Sequence, residues 1–381
     1  MHKMSDKELQ LYIRGVILLI LSMLAVAMVG EVAKQNWNSK VTAYPTKTEE
    51  AINNYAAKLL GEMTLEEKVA QMFFATETSD SELVSDLGLG GLLLSDCNLE
   101  NLQKTEVQAV VGSFQSGSDI PMFIGVEEEG GDVNTVSKYE LLRSVPYLSA
   151  AELMMTGGSK LVATDTEDKC EFLRGLGVNV NFAPVCDVVT EESAFLYGRA
   201  LGRDADATAR YVQTVVETMS DEGMIAVLKH FPGYGNAASA VGMDSRSMEI
   251  FETEDFLPFR QGIKAGADLV MMSHTVVTAL DEELPASLSR KVHTTLRRSF
   301  GFDGVVITSD LGAEGLAQYG DSVALAVAAV QAGSDMVLTS DFESQIPAVV
   351  RAVMNGDISR ERIDESVLRI LKLKIQMGIL V

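Results

Sequence analysis

Eight short apolar runs recur between residues 71 and 340, and their regular alternation with polar or amphipathic material constrains the fold more than any other feature. They read "QMFFAT" (71–76), "LGGLLLS" (89–95), "PMFIGVE" (121–127), "VNVNFAP" (178–184), "IAVLKHF" (225–231), "LVMMSH" (269–274), "GVVITSD" (304–310) and "DMVLTS" (335–340). Strands so uniformly apolar are buried on both faces, as in a parallel sheet. The stretches between them carry helical patterning, as in "DATARYVQTVVETMSDEG" (206–223) and "DSVALAVAAVQAG" (321–333). A capping box, Thr64 with Glu67, marks a helix start in "MTLEEKVAQMFF" (63–74). Eight strands joined by helices predict an α/β fold, a (β/α)8 TIM-type barrel.

Polar residues collect where these runs end: Glu127, Asn181, Lys229, His230, His274 and Asp310. A parallel barrel puts all strand C-termini on one face, where active sites are built. The formal charge of −23 argues against nucleic acid or anionic lipid as an electrostatic partner. The four histidines, His2, His230, His274 and His293, form no His-x-His pair, so neither a metal nor another cofactor is expected. Cys97, Cys170 and Cys186 lie far apart in sequence and are read as small buried hydrophobes.

The N-terminus has a different character. Lys3, Lys7 and Arg14 precede "GVILLILSMLAVAMVG" (15–30), an uncharged stretch of sixteen residues. Such a pattern fits a transmembrane anchor or a secretory signal. The basic flank predicts a cytoplasmic N-terminus, with the barrel outside the membrane or secreted after cleavage. A polar stretch, "KQNWNSKVTAYPTKTEE" (34–50), then separates this segment from the repeating pattern. The expected division is residues 1–30 as signal or anchor, 31–51 as linker, and 52–381 as the barrel domain.

From about residue 52 to 377 the chain resembles glycoside hydrolase family 3, in its single-barrel β-N-acetylglucosaminidase form. The likeness rests on "MTLEEKVAQMF", "GLGGLLLSDCNLENLQ", "IGVEEEGGDV", "GVNVNFAPVCDV", "GRALGRD", "KHFPG", "LPASLS" and "FDGVVITSDLG", in the family's order. The resemblance implies a retaining glycosidase, with one carboxylate attacking the anomeric carbon and an acid protonating the leaving oxygen. Asp310 matches the nucleophile. Lys229, His230 and Arg199 match residues that hold sugar hydroxyls, and Asp187 and His274 are also carried over. Glu127 stands where the family has an aspartate.

The loop "KHFPGYGNAASA" (229–240) departs from the family. The family follows "KHFPG" with "HGDT" and an Asp-x-His dyad that serves as acid and base. Aligned without gaps, Ala240 and Gly242 occupy the dyad, and Tyr234 and Asn236 replace a histidine and an aspartate. With four inserted residues, Asp244 is retained and Arg246 replaces the histidine. Arginine stays protonated and cannot shuttle a proton. Asp132 likewise stands where the family has arginine. Asp244, Glu249 and Tyr234 are the candidate substitute acids, Asp244 foremost. The resemblance thus implies an exported β-N-acetylhexosaminidase acting on terminal amino-sugar glycosides or cell-wall fragments, its acid/base dyad altered. The alternative is a catalytically impaired pseudoenzyme that binds glycan or a protein partner.

Overall fold

The structure is a computed structural model that describes residues 48–381. The expected signal or anchor segment, 1–30, and nearly all of the linker lie outside the described residues. Among the described residues no helix is long and apolar enough to cross a membrane.

Eight parallel strands form the centre: β1 (Phe73–Ala75), β2 (Gly91–Leu93), β3 (Phe123–Val126), β4 (Val180–Asn181), β5 (Ile225–Phe231), β6 (Leu269–Met272), β7 (Val305–Thr308) and β8 (Val337–Thr339). Their order, β7-β6-β5-β4-β3-β2-β1-β8, is the chain order wrapped around once. β8 pairs with β1 in the register Phe73↔Val337 to Ala75↔Thr339. The seam between β7 and β8 is closed by the Ile307↔Met336 bridge. Each strand is the centre of one apolar run, so the predicted barrel is observed. β4 is among the shortest because Pro184, in the same run, has no N–H to extend a ladder. The predicted helices are also present, as Ala205–Asp221 and Ser322–Ala332. The Thr64–Glu67 capping box forms in both directions, at 2.7 and 3.2 Å.

Two phenylalanines fill the barrel interior. Phe74 and Phe182 meet edge to face, with centroids 5.3 Å apart. Their neighbours are glycines for a steric reason. A Cβ at Gly91 would lie 2.5 Å from the Phe74 ring, and one at Gly125 2.6 Å from the Phe182 ring. Below this layer, at the N-terminal end of the strands, Asp335 is fully buried and pins the β7–β8 seam. It accepts bonds from Arg297, Arg362, Ser366 and the Val306 N–H.

Lys374 closes the same end. It is fully buried, donates to Gln71 Oε1 at 2.7 Å and sits 5.0 Å from the centre of the Phe123 ring. Burial pushes its ammonium down from 10.5 to about 7. The unfolded chain therefore holds a proton between pH 7 and 10.5 that the folded chain has released. Stability must rise with pH through that window, and the penalty is fully present below pH 7. Lys374→Met should remove this slope, leaving a mutant whose melting temperature relative to wild type is highest at pH 7 and declines towards pH 10. A parallel offset at all pH values would show that burial does not lower the Lys374 ammonium and that it keeps its proton on folding.

Candidate active site

The C-terminal strand ends bring the expected polar residues together. Glu127 follows β3, Lys229 and His230 lie in β5, and Asp310 lies just beyond β7. After β3 the chain turns back as a hairpin of Glu128–Gly130 with Val133–Asn134. After β5 and β6 a second pair forms, Val241–Asp244 parallel to His274–Val277.

Lys229 is fully buried, yet its ammonium has two carboxylate partners, Glu127 Oε1 at 2.9 Å and Glu129 Oε1 at 2.5 Å. Glu129 also takes a two-pronged bond from Arg199, at 2.6 and 3.0 Å. Burial opposes its ionisation, but Lys229 and Arg199 outweigh that and hold the carboxyl at about 2. Lys229 likewise pulls the Glu127 carboxyl below its ordinary range. Glu127 keeps its side chain 37% exposed, so it presents a free edge to the mouth. The sequence pointed to Glu127 and Arg199; it did not single out Glu129, which ties them to Lys229. Glu128, between the two, turns away and accepts from Ser137 and the Val136 N–H.

Asp187 holds the turn after β5 at both ends. Its carboxylate receives the His230 N–H at 3.1 Å and the Tyr234 N–H at 2.7 Å, and contacts His230 Nδ1 at 2.8 Å. This leaves Nε2 of His230 as the nitrogen open to a ligand.

Asp310 is half-buried, and one carboxylate oxygen accepts from the Gly312 N–H at 2.9 Å. Burial pushes its carboxyl up from the usual range and the Gly312 bond opposes this; the carboxylates of Glu77 and Glu127 add to the upward push. His274 acts on this residue's backbone. Its Nε2 donates to the Asp310 carbonyl at 2.8 Å, and its Nδ1 meets the Ser287 hydroxyl at 2.9 Å. Both ring nitrogens are thus engaged by protein, which makes His274 a positioning residue for Asp310. Burial pushes its imidazole down to about 4, so this support does not titrate near neutrality.

Arg246 has a structural environment. Its guanidinium grips Asp244 through both carboxylate oxygens, at 2.7 to 3.1 Å, and reaches Asp255 at 2.7 Å. It lies 4.6 Å from the Phe251 ring centre. Gly235 has φ +54°, and a Cβ there would lie 2.4 Å from Arg246 Nη1. The bland loop is therefore packed tightly over an ion-paired arginine. The strand register sets Val241 beside His274 and Asp244 beside Val277, so Asp244 stands three residues farther out, roughly 10 Å at strand rise. Tyr234 is buried and its phenol, pushed upward by burial, lies 3.4 Å from the His274 N–H. Glu249 is exposed on a short helical turn, Met248–Ile250. None of the three sequence candidates has a carboxyl or hydroxyl both free and beside Asp310. Among the described residues no cluster of three or more His, Cys, Asp or Glu side chains suits a metal ion.

Comparison with known proteins agrees with this architecture. Residues 64–373 match the model of the glycosyl hydrolase family 3 N terminal domain. The chain is 29% identical over 327 residues to the beta-hexosaminidase LpqI of Mycobacterium tuberculosis, covering 81% of this chain and 82% of that one. It is 30% identical over 315 residues to an uncharacterized secreted glycosyl hydrolase of Arthroderma benhamiae, covering 78% and 88%. Among solved structures, a family 3 beta-N-acetylglucosaminidase from Paenibacillus superposes with a TM-score of 0.77 at 30% identity, covering 83% of this chain and 63% of that one. Barrel and sequence agree, and the chain belongs to glycosyl hydrolase family 3, in its single-barrel β-hexosaminidase type.

Proposed function

We propose that the protein is an exported, retaining β-N-acetylhexosaminidase that removes terminal amino sugars from glycans such as cell-wall fragments. Asp310 is its nucleophile, and the acid/base work is not done by a dyad on the loop after β5. The observation that carries this reading is the placement of Asp310. Its carboxylate stands at the end of β7 with one anchoring bond, its backbone is fixed by His274, and Glu127, which acts on its charge, is linked through Lys229 to Glu129 and Arg199. That set, with His230, has the donors and acceptors to hold sugar hydroxyls while Asp310 attacks the anomeric carbon. Relatives named beta-hexosaminidase support the amino-sugar class. Export is supported by the basic and apolar N-terminal segment and by the word "secreted" in one relative's name.

The test uses a substrate that needs little protonation. 2,4-Dinitrophenyl β-N-acetylglucosaminide should release its phenol with saturation kinetics, competitively inhibited by N-acetylglucosamine. The β-glucoside lacking the acetamido group should react at least about tenfold more slowly in kcat/KM, the size expected when a site's polar groups lose one partner. No release of dinitrophenol, with N-acetylglucosamine still bound, would replace this reading with a glycan-binding pseudoenzyme. That alternative draws on the engagement of Asp244 by Arg246.

A further inference from the structure

The face opposite the active site concentrates more arginine than its carboxylates can balance. Asp335, at the N-terminal end of β8, is fully buried, and three guanidiniums converge on it: Arg297 at 2.5 Å, Arg362 at 3.2 Å and Arg369 at 3.3 Å. The other carboxylates nearby do little for the surplus. Glu365 lies 4.0 Å from Arg362 and Asp303 3.6 Å from Arg369, with side chains 65% and 95% exposed, where an ion pair is worth little. The guanidiniums therefore oppose one another. Burial, together with Arg369 and Arg362, pushes the Arg297 guanidinium down against the pull of Asp335.

The hydrogen bonds leave the same surplus. A guanidinium has five N–H donors. Arg297 gives three, to Asp335 and to the carbonyls of Phe302 and Gly304; Arg362 gives two, to Asp335 and the Ser334 carbonyl; Arg369 gives one, to Asp335. A fourth arginine, Arg298, is exposed, and among the described residues no hydrogen bond or ion pair engages it. These four side chains line one cleft of about 180 Å³, between the helices Arg290–Ser299 and Arg360–Gln376. It is large enough for one small oxyanion and its waters. His293 lines the cleft too but brings no charge: its ring nitrogens are engaged by Ser289 O and the Ser334 hydroxyl, and burial pushes the imidazole down to about 4.

We propose that this cleft binds a phosphate-class anion, inorganic phosphate or the terminal phosphate of a small soluble ester, through the free N–H donors of Arg297, Arg298, Arg362 and Arg369. Guanidinium forks match phosphate oxygens two at a time, and the anion supplies the negative charge that Glu365 and Asp303 do not. The formal charge of −23 turns away extended polyanions and anionic surfaces, which favours a single small anion over a nucleic acid or a membrane. Bound there, the anion bridges two helices at the β7–β8 seam, which Asp335 already ties through the Val306 N–H at 2.9 Å. Binding stabilises the barrel from the end away from Asp310, and the site does not depend on the hydrolase reading.

The experiment is calorimetry and thermal melting of the full-length protein with inorganic phosphate, against chloride at equal ionic strength. It compares wild type, Arg298→Gln and a control, Arg351→Gln. Arg351 is exposed on the helix Phe342–Asn355 and does not line the cleft, so the control makes the same change in net charge elsewhere. Phosphate should bind wild type saturably and raise its melting temperature, as a ligand of the native state must. Arg298→Gln should bind phosphate at least about tenfold more weakly, the loss of one charge-assisted bond. Its melting temperature in chloride should match wild type, since the side chain has no protein partner to lose. Arg351→Gln should bind as wild type does. Phosphate no more stabilising than chloride, or bound equally by wild type and Arg298→Gln, would overturn the site. Sedimentation with phosphatidylcholine vesicles carrying phosphatidic acid tests the source. Equal sedimentation of wild type and Arg298→Gln supports a soluble anion; weaker sedimentation of the variant would overturn that source and give the cleft to a lipid head group. Release of dinitrophenol should be the same in Arg298→Gln as in wild type, so this site and the hydrolase reading stand or fall separately.

Discussion

Asp310→Ala is expected to reduce turnover of every β-N-acetylglucosaminide by on the order of 10³-fold or more, because the covalent step disappears with its nucleophile. The loss should not depend on the leaving group, which separates it from the loss of an acid. The fold should survive: the half-buried carboxylate accepts one hydrogen bond, from Gly312, and the His274 contact goes to the backbone carbonyl, which alanine keeps. Azide offers a stereochemical readout. With the carboxylate gone, azide enters from the vacated face and forms the α-glycosyl azide, opposite in configuration to the product of an acid/base variant. Melting temperature, residual kcat/KM and the configuration of the azide together decide the assignment. Activity within tenfold of wild type would remove Asp310 from the nucleophile's place.

The barrel was legible because each strand is a two-sided buried element, so "GVVITSD" or "DMVLTS" carries its assignment within a few residues. The strand-end residues followed, since parallel order puts them all on one face. Other features depend on partners distant in sequence. In "EEE" (127–129) nothing local distinguishes three glutamates; only the hairpin sends Glu129 to Lys229 and Arg199, and Glu128 to Ser137. Arg246 reads as a lost histidine until its bonds to Asp244 and Asp255 are seen.

Lys229→Ala should cost both stability and sugar affinity, because the side chain serves two sets of partners. Its ammonium is fully buried between Glu127 and Glu129. Removing it leaves Glu129 to Arg199 alone and Glu127 without a cation; because Glu127 is 37% exposed and Glu129 stays paired, the cost is below the about 3–5 kcal/mol of a wholly uncompensated buried charge. For a domain of this size that is a fall of at most roughly 5 °C in melting temperature. The acid response should change as well. The Glu129 carboxyl is held at about 2 and the Glu127 carboxyl is also lowered, so both stabilise the folded state above their unfolded values, and this contribution is lost as pH falls through the folded values. Without Lys229 the depression shrinks, and with it the difference in stability between pH 7 and pH 3. Affinity is a separate matter. An ammonium has three donors, and the two glutamates use two; if the proposed sugar site is right the third goes to a sugar hydroxyl, and N-acetylglucosamine should bind at least about tenfold more weakly to the folded mutant. Adding Glu127→Gln to Lys229→Met tells the two roles apart, since it removes the orphaned charge, Glu129 keeping Arg199, while leaving the sugar without the Lys229 donor. That double variant should recover part of the melting temperature and none of the affinity. Recovery of both would make Lys229 purely structural and take it out of the sugar site.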